Sequence, residues 1–115
     1  MADWNKIQKR AIEFRDARDW KQFHNPKDVA LSLVLEAAEV MEHFQWKSPE
    51  EMKGYVQAHR NEIADELADV VYWVAVMTND LKIDLPKAFE AKMRKNEKKY
   101  PVSKSKGKHT KYTKL

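Results

Sequence analysis

Apolar residues recur along most of this chain at intervals of three and four, the spacing of one face of an α-helix rather than the alternation of a strand. Trp4, Ile7, Ala11 and Phe14 form the first stripe, read as core packing, behind Asp3, a residue able to cap a helix. That helix is expected to run to about Trp20 or Phe23. At its end Trp20, Phe23 and His24 cluster, placed either to pack or to meet a ligand. Asn25-Pro26-Lys27-Asp28 is a strong second start, with Asn25 as cap, proline in the first turn and Asp28 at the positive end of the helix dipole. This second helix is expected from Pro26 to about Gln45.

Trp46 follows, and then Ser48 and Glu51 make a capping box for a short helix from Pro49 to about Gln57, in which Gly54 is a weak point. A long helix should run from near His59 to Asp80. A last one, opened by Asp84-Leu85-Pro86, should reach about Lys99 and stop at Tyr100-Pro101. Beyond Val102 no periodicity survives, so residues 103–115 read as a basic, disordered tail behind a single domain of residues 1–102.

The second and fourth of these helices hold acids where their apolar surroundings predict burial. Glu36 and Glu39 lie within the run from Val29 to Met41, and Glu66 and Asp69 within the run from Ile63 to Met77. Each pair is spaced i, i+3, so both carboxylates leave one face of their helix. Converging buried carboxylates are prohibitively costly without a compensating cation. Oxygen ligands on rigid helices suit a hard divalent ion, Mg²⁺ or Mn²⁺. The alternative from spacing alone is a pair of solvated faces with ion pairs along the helices. Glu42, one step further, reads as exposed, and Glu62 and Asp65 as surface acids or partners of Arg60.

Composition narrows the class. Two glycines in 115 residues argue against an all-β fold, and the absence of cysteine excludes disulfides and thiolate metal sites. His59 and His109 have no partner at zinc-ligand spacing, no glycine-rich phosphate loop exists, and no nucleophilic triad can be assembled. No apolar signal core opens the chain and no run approaches membrane-spanning length, which leaves a cytoplasmic protein with no membrane partner as the expectation. The net charge of +4 conceals an asymmetry. Lys92–Leu115 carries ten Lys/Arg against one acid, Glu97, leaving 12 basic and 17 acidic side chains in residues 1–91. Nucleic-acid binding would rest on that basic end alone, whose simpler reading is a solvated tail.

Glu36-x-x-Glu39, 26 intervening residues, then Glu66-x-x-Asp69 resembles the ExxE…ExxD signature of the MazG family of all-α nucleoside triphosphate pyrophosphohydrolases. Arg18-Asp-Trp-Lys-Gln-Phe-His24-Asn-Pro, Phe44-Gln-Trp46, Glu66-Leu-Ala-Asp-Val and Lys92-Met-Arg-Lys-Asn96-Glu-Lys-Lys-Tyr100-Pro-Val are similar to its dCTP pyrophosphatase-like branch. The likeness spans roughly Trp4 to Val102. It implies a four- to five-helix bundle completed by homo-oligomerisation, as a dimer or a dimer-of-dimers tetramer. Helices apolar on more sides than one small bundle buries point the same way.

The implied reaction is Mg²⁺-dependent hydrolysis of a (deoxy)nucleoside triphosphate, dCTP favoured, to the monophosphate and pyrophosphate. A broader dNTP or dUTP preference is the alternative within this class. The resemblance places metal on Glu36, Glu39, Glu66 and Asp69, with Glu39 as candidate acceptor of the attacking water's proton. Lys92, Asn96 and Tyr100 match positions that contact nucleotide, and Trp20 and Trp46 match aromatics of the base pocket. Trp73, i+4 from Asp69, shares the acid-bearing side of its helix. Leu35 stands where many members carry a further acid, which bears on subfamily and on the number of metal ions. The competing class is a non-enzymatic helical oligomer that binds nucleic acid through its tail.

Overall fold

A computed structural model describes residues 3–115, and Met1 and Ala2 lie outside the described residues. All regular structure among them is helical, as the periodicity predicts: α1 (Trp4–Ala17), α2 (Pro26–Glu42), α3 (Pro49–Ala58), α4 (Arg60–Asp80), α5 (Leu85–Lys99) and α6 (Val102–Ser105). Short 3-10 turns cover Lys21–Phe23 and Tyr112–Lys114. The starts follow the local chemistry. The side chain of Asp3 accepts from the Lys6 amide at 3.0 Å, that of Asn25 from the Asp28 amide at 2.9 Å, and that of Asp84 from the Lys87 amide at 3.2 Å. Ser48 and Glu51 close a reciprocal capping box at 3.2 and 3.3 Å.

α4 and α5 end at Asp80 and Lys99 as expected, whereas the ends of α1 and α2 differ from expectation. α1 stops at Ala17 because Asp19 turns left-handed (φ 55°), and the Trp20 amide donates back to the Arg15 carbonyl at 3.2 Å. α2 stops at Glu42, three residues early, in a turn where Trp46 is left-handed (φ 69°). Both ends are set by single backbone conformations that apolar spacing does not encode. Gly54 is carried inside α3 without a break, and the chain turns instead at His59, which ends α3 and precedes α4.

The chain divides into two compact units, Met1–Lys82 and Ile83–Leu115. Composition places a boundary at residue 102, where apolar residues give out, whereas packing thins at the loop after α4. In the first unit α1 and α2 both pack on α4. Ala11, Val29, Ala75 and Val76 are buried between them, the last two at 0 % exposure. α2 and α4 run antiparallel: Val29 near the start of α2 shares a small cavity with Met77 and Leu81, and His43, just past its end, reaches Glu66. α1 is tied down by polar contacts as well. Arg15, 1 % exposed, sets one guanidinium nitrogen 2.8 and 2.7 Å from the two carboxylate oxygens of Asp80. The Gln8 amide donates to Thr78 Oγ1 at 3.0 Å.

In the second unit the α5 helix ends with the Tyr100 amide bonded to the Asn96 carbonyl at 2.8 Å. Tyr112 sets its ring edge-on to Tyr100, with centroids 5.8 Å apart, and Lys99 Nζ lies 4.7 Å from the Tyr112 ring centroid. Among the described residues no helix is long and apolar enough to cross a membrane.

Candidate active site

The first unit holds a cavity of about 710 Å³ walled by α1, Trp20, α2 and α4. The α1 stripe read as core packing serves both core and cleft: Ala11 is buried, and Ile7, Ala11 and Phe14 line this space with Arg10 beside them. Tyr72 and Trp73 come from α4, and Glu36 and Asp69 bring acids from the two facing helices. The rings meet edge to face, Phe14 against Trp20 at 5.7 Å, Phe14 against Tyr72 at 5.9 Å and Tyr72 against Trp73 at 5.0 Å. Such pairs hold one another's orientation and leave flat faces for a further ring. The Arg18 guanidinium lies 3.8 Å from the Phe14 ring centroid, bracing that wall.

The four sequence-selected acids fall on the facing sides of α2 and α4. Glu36 is half-buried, and its Oε2 is shielded from solvent without a hydrogen-bond partner. Burial above all, then Glu39 as hydrogen-bonding and like-charged neighbour, then Asp69 and Glu66, push the Glu36 carboxyl above its ordinary value. Its neighbours' charges thus act on one carboxyl from both helices. Glu39 and Asp69 are exposed, and Glu66 is half-buried against His43. Among the described residues no three His, Asp or Glu side chains close on a common point as a ready-made metal cage. Glu42, Glu62 and Asp65 are exposed, and no ion pair to Arg60 is formed among the described residues.

The other selected residues separate by place. Trp20 and Trp73 line the cavity with Asp69, whereas Trp46 is 92 % exposed and does not. His24, beside Trp20 in sequence, packs edge-on to Trp73 at 5.4 Å. Lys92, Asn96 and Tyr100 belong to the second unit, where Lys92 and Tyr100 are exposed and Asn96 is half-buried. Sequence reasoning passed over Tyr72, Arg10 and His43. Two of these carried a signal: Tyr72 is i+3 from Asp69, and His43 is i+4 from Glu39 and i+7 from Glu36, each on its helix's acid face.

An all-helical fold with carboxylates from two antiparallel helices beside an aromatic cleft defines a class of helical acid-site proteins. The chain belongs to the MazG-like family, whose model matches residues 31–115. It is 38% identical over 111 residues to dCTP pyrophosphatase 1 of Bos taurus, an alignment covering 95% of this chain and 66% of that protein. Against dCTP pyrophosphatase 1 of Homo sapiens identity is 36%, covering 95% of this chain and 65% of that protein. The chain therefore spans just under two thirds of the length of these relatives. The crystal structure of a pyrophosphatase from Archaeoglobus fulgidus superposes with a TM-score of 0.79 at 36% identity, covering 84% of this chain and 91% of that one.

Proposed function

We propose that this protein hydrolyses (deoxy)nucleoside triphosphates to the monophosphate and pyrophosphate, with dCTP preferred, in a Mg²⁺-dependent reaction that clears unwanted nucleotides. The observation that carries this reading is the pairing, in one cleft, of flat aromatic walls with the carboxylate of Glu36, whose buried oxygen lacks a partner. The names of the dCTP pyrophosphatase 1 relatives support the choice of nucleotide.

Glu36, Glu39, Glu66 and Asp69 would hold Mg²⁺, or Mn²⁺ in its place. The fit rests on the donor set, which is all oxygen, and on the repulsion concentrated at Glu36, which a divalent cation relieves. When bound, the ion neutralises phosphate charge and acidifies a coordinated water. Glu39, an exposed acid of α2, would take the proton of the attacking water on its carboxylate. Trp20 and Trp73, with Phe14 and Tyr72 behind them, would stack on the base and exclude water from it. Arg10 supplies positive charge at the cleft wall. Trp46, Lys92, Asn96 and Tyr100 complete the proposed substrate contacts, within a dimer or tetramer in the cytoplasm.

The test is pyrophosphate release from a panel of dNTPs and NTPs with and without Mg²⁺, on the parent, Glu66→Ala and Asp69→Ala. Metal-dependent turnover led by dCTP is expected, and each substitution should cost about 100-fold or more at unchanged helicity. Turnover without a dCTP preference would replace the base assignment with a broad dNTP or dUTP enzyme. No turnover by folded protein would overturn the enzyme and favour a helical oligomer that binds nucleic acid through its basic end, lost with residues 103–115 and steeply salt-dependent.

A further inference from the structure

Among the described residues His43 is one of the most buried polar side chains, with a hydrogen bond at Nδ1 and a close carboxylate contact at Nε2. Nδ1 lies 2.5 Å from the Tyr55 hydroxyl of α3, and Nε2 contacts the Glu66 Oε2 of α4. Nε2 and the Glu66 Oε2 that it faces are both shut off from solvent and make no hydrogen bond, so each is the other's close polar neighbour in a dry contact. The Tyr55 ring is itself held. It stacks on His59 at 3.9 Å and 14°, and Lys47 Nζ sits 4.1 Å from its centroid. A chain of fixed groups therefore runs from α3 through the end of α2 to one of the four acids.

We infer that His43 is a positioning residue for Glu66: braced by Tyr55, its imidazole fixes one carboxylate oxygen so that the other is presented to the divalent cation. This rests on the metal site proposed above. A flexible glutamate that must find its rotamer on binding gives up conformational freedom, and a contact that restricts it beforehand removes part of that cost. Outer partners of a metal-binding group typically alter affinity by about 10–100-fold.

The experiment is calorimetric titration of the metal-free, full-length protein with Mn²⁺, with melting temperature and helicity recorded for each variant. His43→Leu is expected to weaken Mn²⁺ binding by about 10–100-fold, and His43→Gln, whose side-chain amide keeps a polar neighbour for Glu66, to recover to within about threefold. Tyr55→Phe removes only the hydroxyl and should weaken binding by a smaller factor, about threefold or more. Glu66→Ala separates this inference from the site it rests on. If Glu66→Ala loses Mn²⁺ while His43→Leu and Tyr55→Phe bind as the parent does, the positioning role is overturned and the acid site stands. If Glu66→Ala also binds as the parent does, the acid site itself falls. Should His43→Leu fail to fold, parent-like Mn²⁺ affinity in Tyr55→Phe overturns the inference.

Discussion

His24 illustrates how one side chain near the cleft responds to its surroundings. Burial first, then the charge of Arg15, hold its pKa below the ordinary 6.5, against a weaker opposite pull from Asp80. The unfolded chain therefore takes up a proton near pH 6.5 that the folded chain refuses until lower pH. Stability is intact above 6.5 and lost as pH falls through the window below it. His24→Gln should flatten that loss, seen as a drop in melting temperature between pH 7.5 and 5.5 smaller by about a few degrees. The Glu36 carboxyl is pushed up, by burial above all and then by the neighbouring carboxylates. In metal-free protein at neutral pH, Glu36→Gln should raise the melting temperature by about a few degrees while abolishing metal-dependent turnover. Thermal melts of both proteins with and without Mg²⁺ check this, and a lower melting temperature for the metal-free variant would contradict it. At this scale the four acids stand out in the sequence, because charge inside an apolar run is anomalous by itself. The place of His43 on the acid face was readable from its spacing, but its bond to Tyr55 was not, because that hydroxyl comes from another helix.

Between elements, the Arg15–Asp80 pair does what the apolar contacts alone do not: it ties the last turn of α1 to the last turn of α4. Arg15 is fully buried while Asp80 remains partly exposed, so removing the arginine leaves a carboxylate that solvent only partly compensates. Arg15→Leu should cost about 3 kcal/mol in urea unfolding. Arg15→Leu combined with Asp80→Leu should recover more than half of that loss, since apolar replacement of both partners is often near neutral. Recovery of nothing would assign the loss to packing rather than to the orphaned charge. Helix starts were readable because a cap is a bond between residues three apart. The ends of α4 and α5 were readable too, but those of α1 and α2 were not, because Asp19 and Trp46 enter a left-handed conformation that apolar spacing does not encode.

For the whole molecule, the outward side of α2 remains apolar. Leu31, Val34, Leu35 and Met41 are all more than half exposed, Leu35 at 64 %. A stripe of this kind is what a homo-oligomer would cover. Leu35→Asp, at a position that contributes little to the described core, should therefore shift the protein to a smaller species in light scattering after size exclusion, with helicity retained. A parent that is already monomeric would remove the oligomer from the proposal. The sequence by itself determined the all-α class, the helix starts, the family and the identity of the acids, because each follows from periodicity, local hydrogen bonding or a short motif. Only the tertiary structure decided that the α1 stripe walls a cleft as well as packing into the core, that Trp20 and Trp73 share that cleft with Glu36 and Asp69 while Trp46 does not, and that His43 meets Glu66. Those are contacts between helices distant in sequence, and their partners are chosen by packing, which a single chain's pattern does not specify.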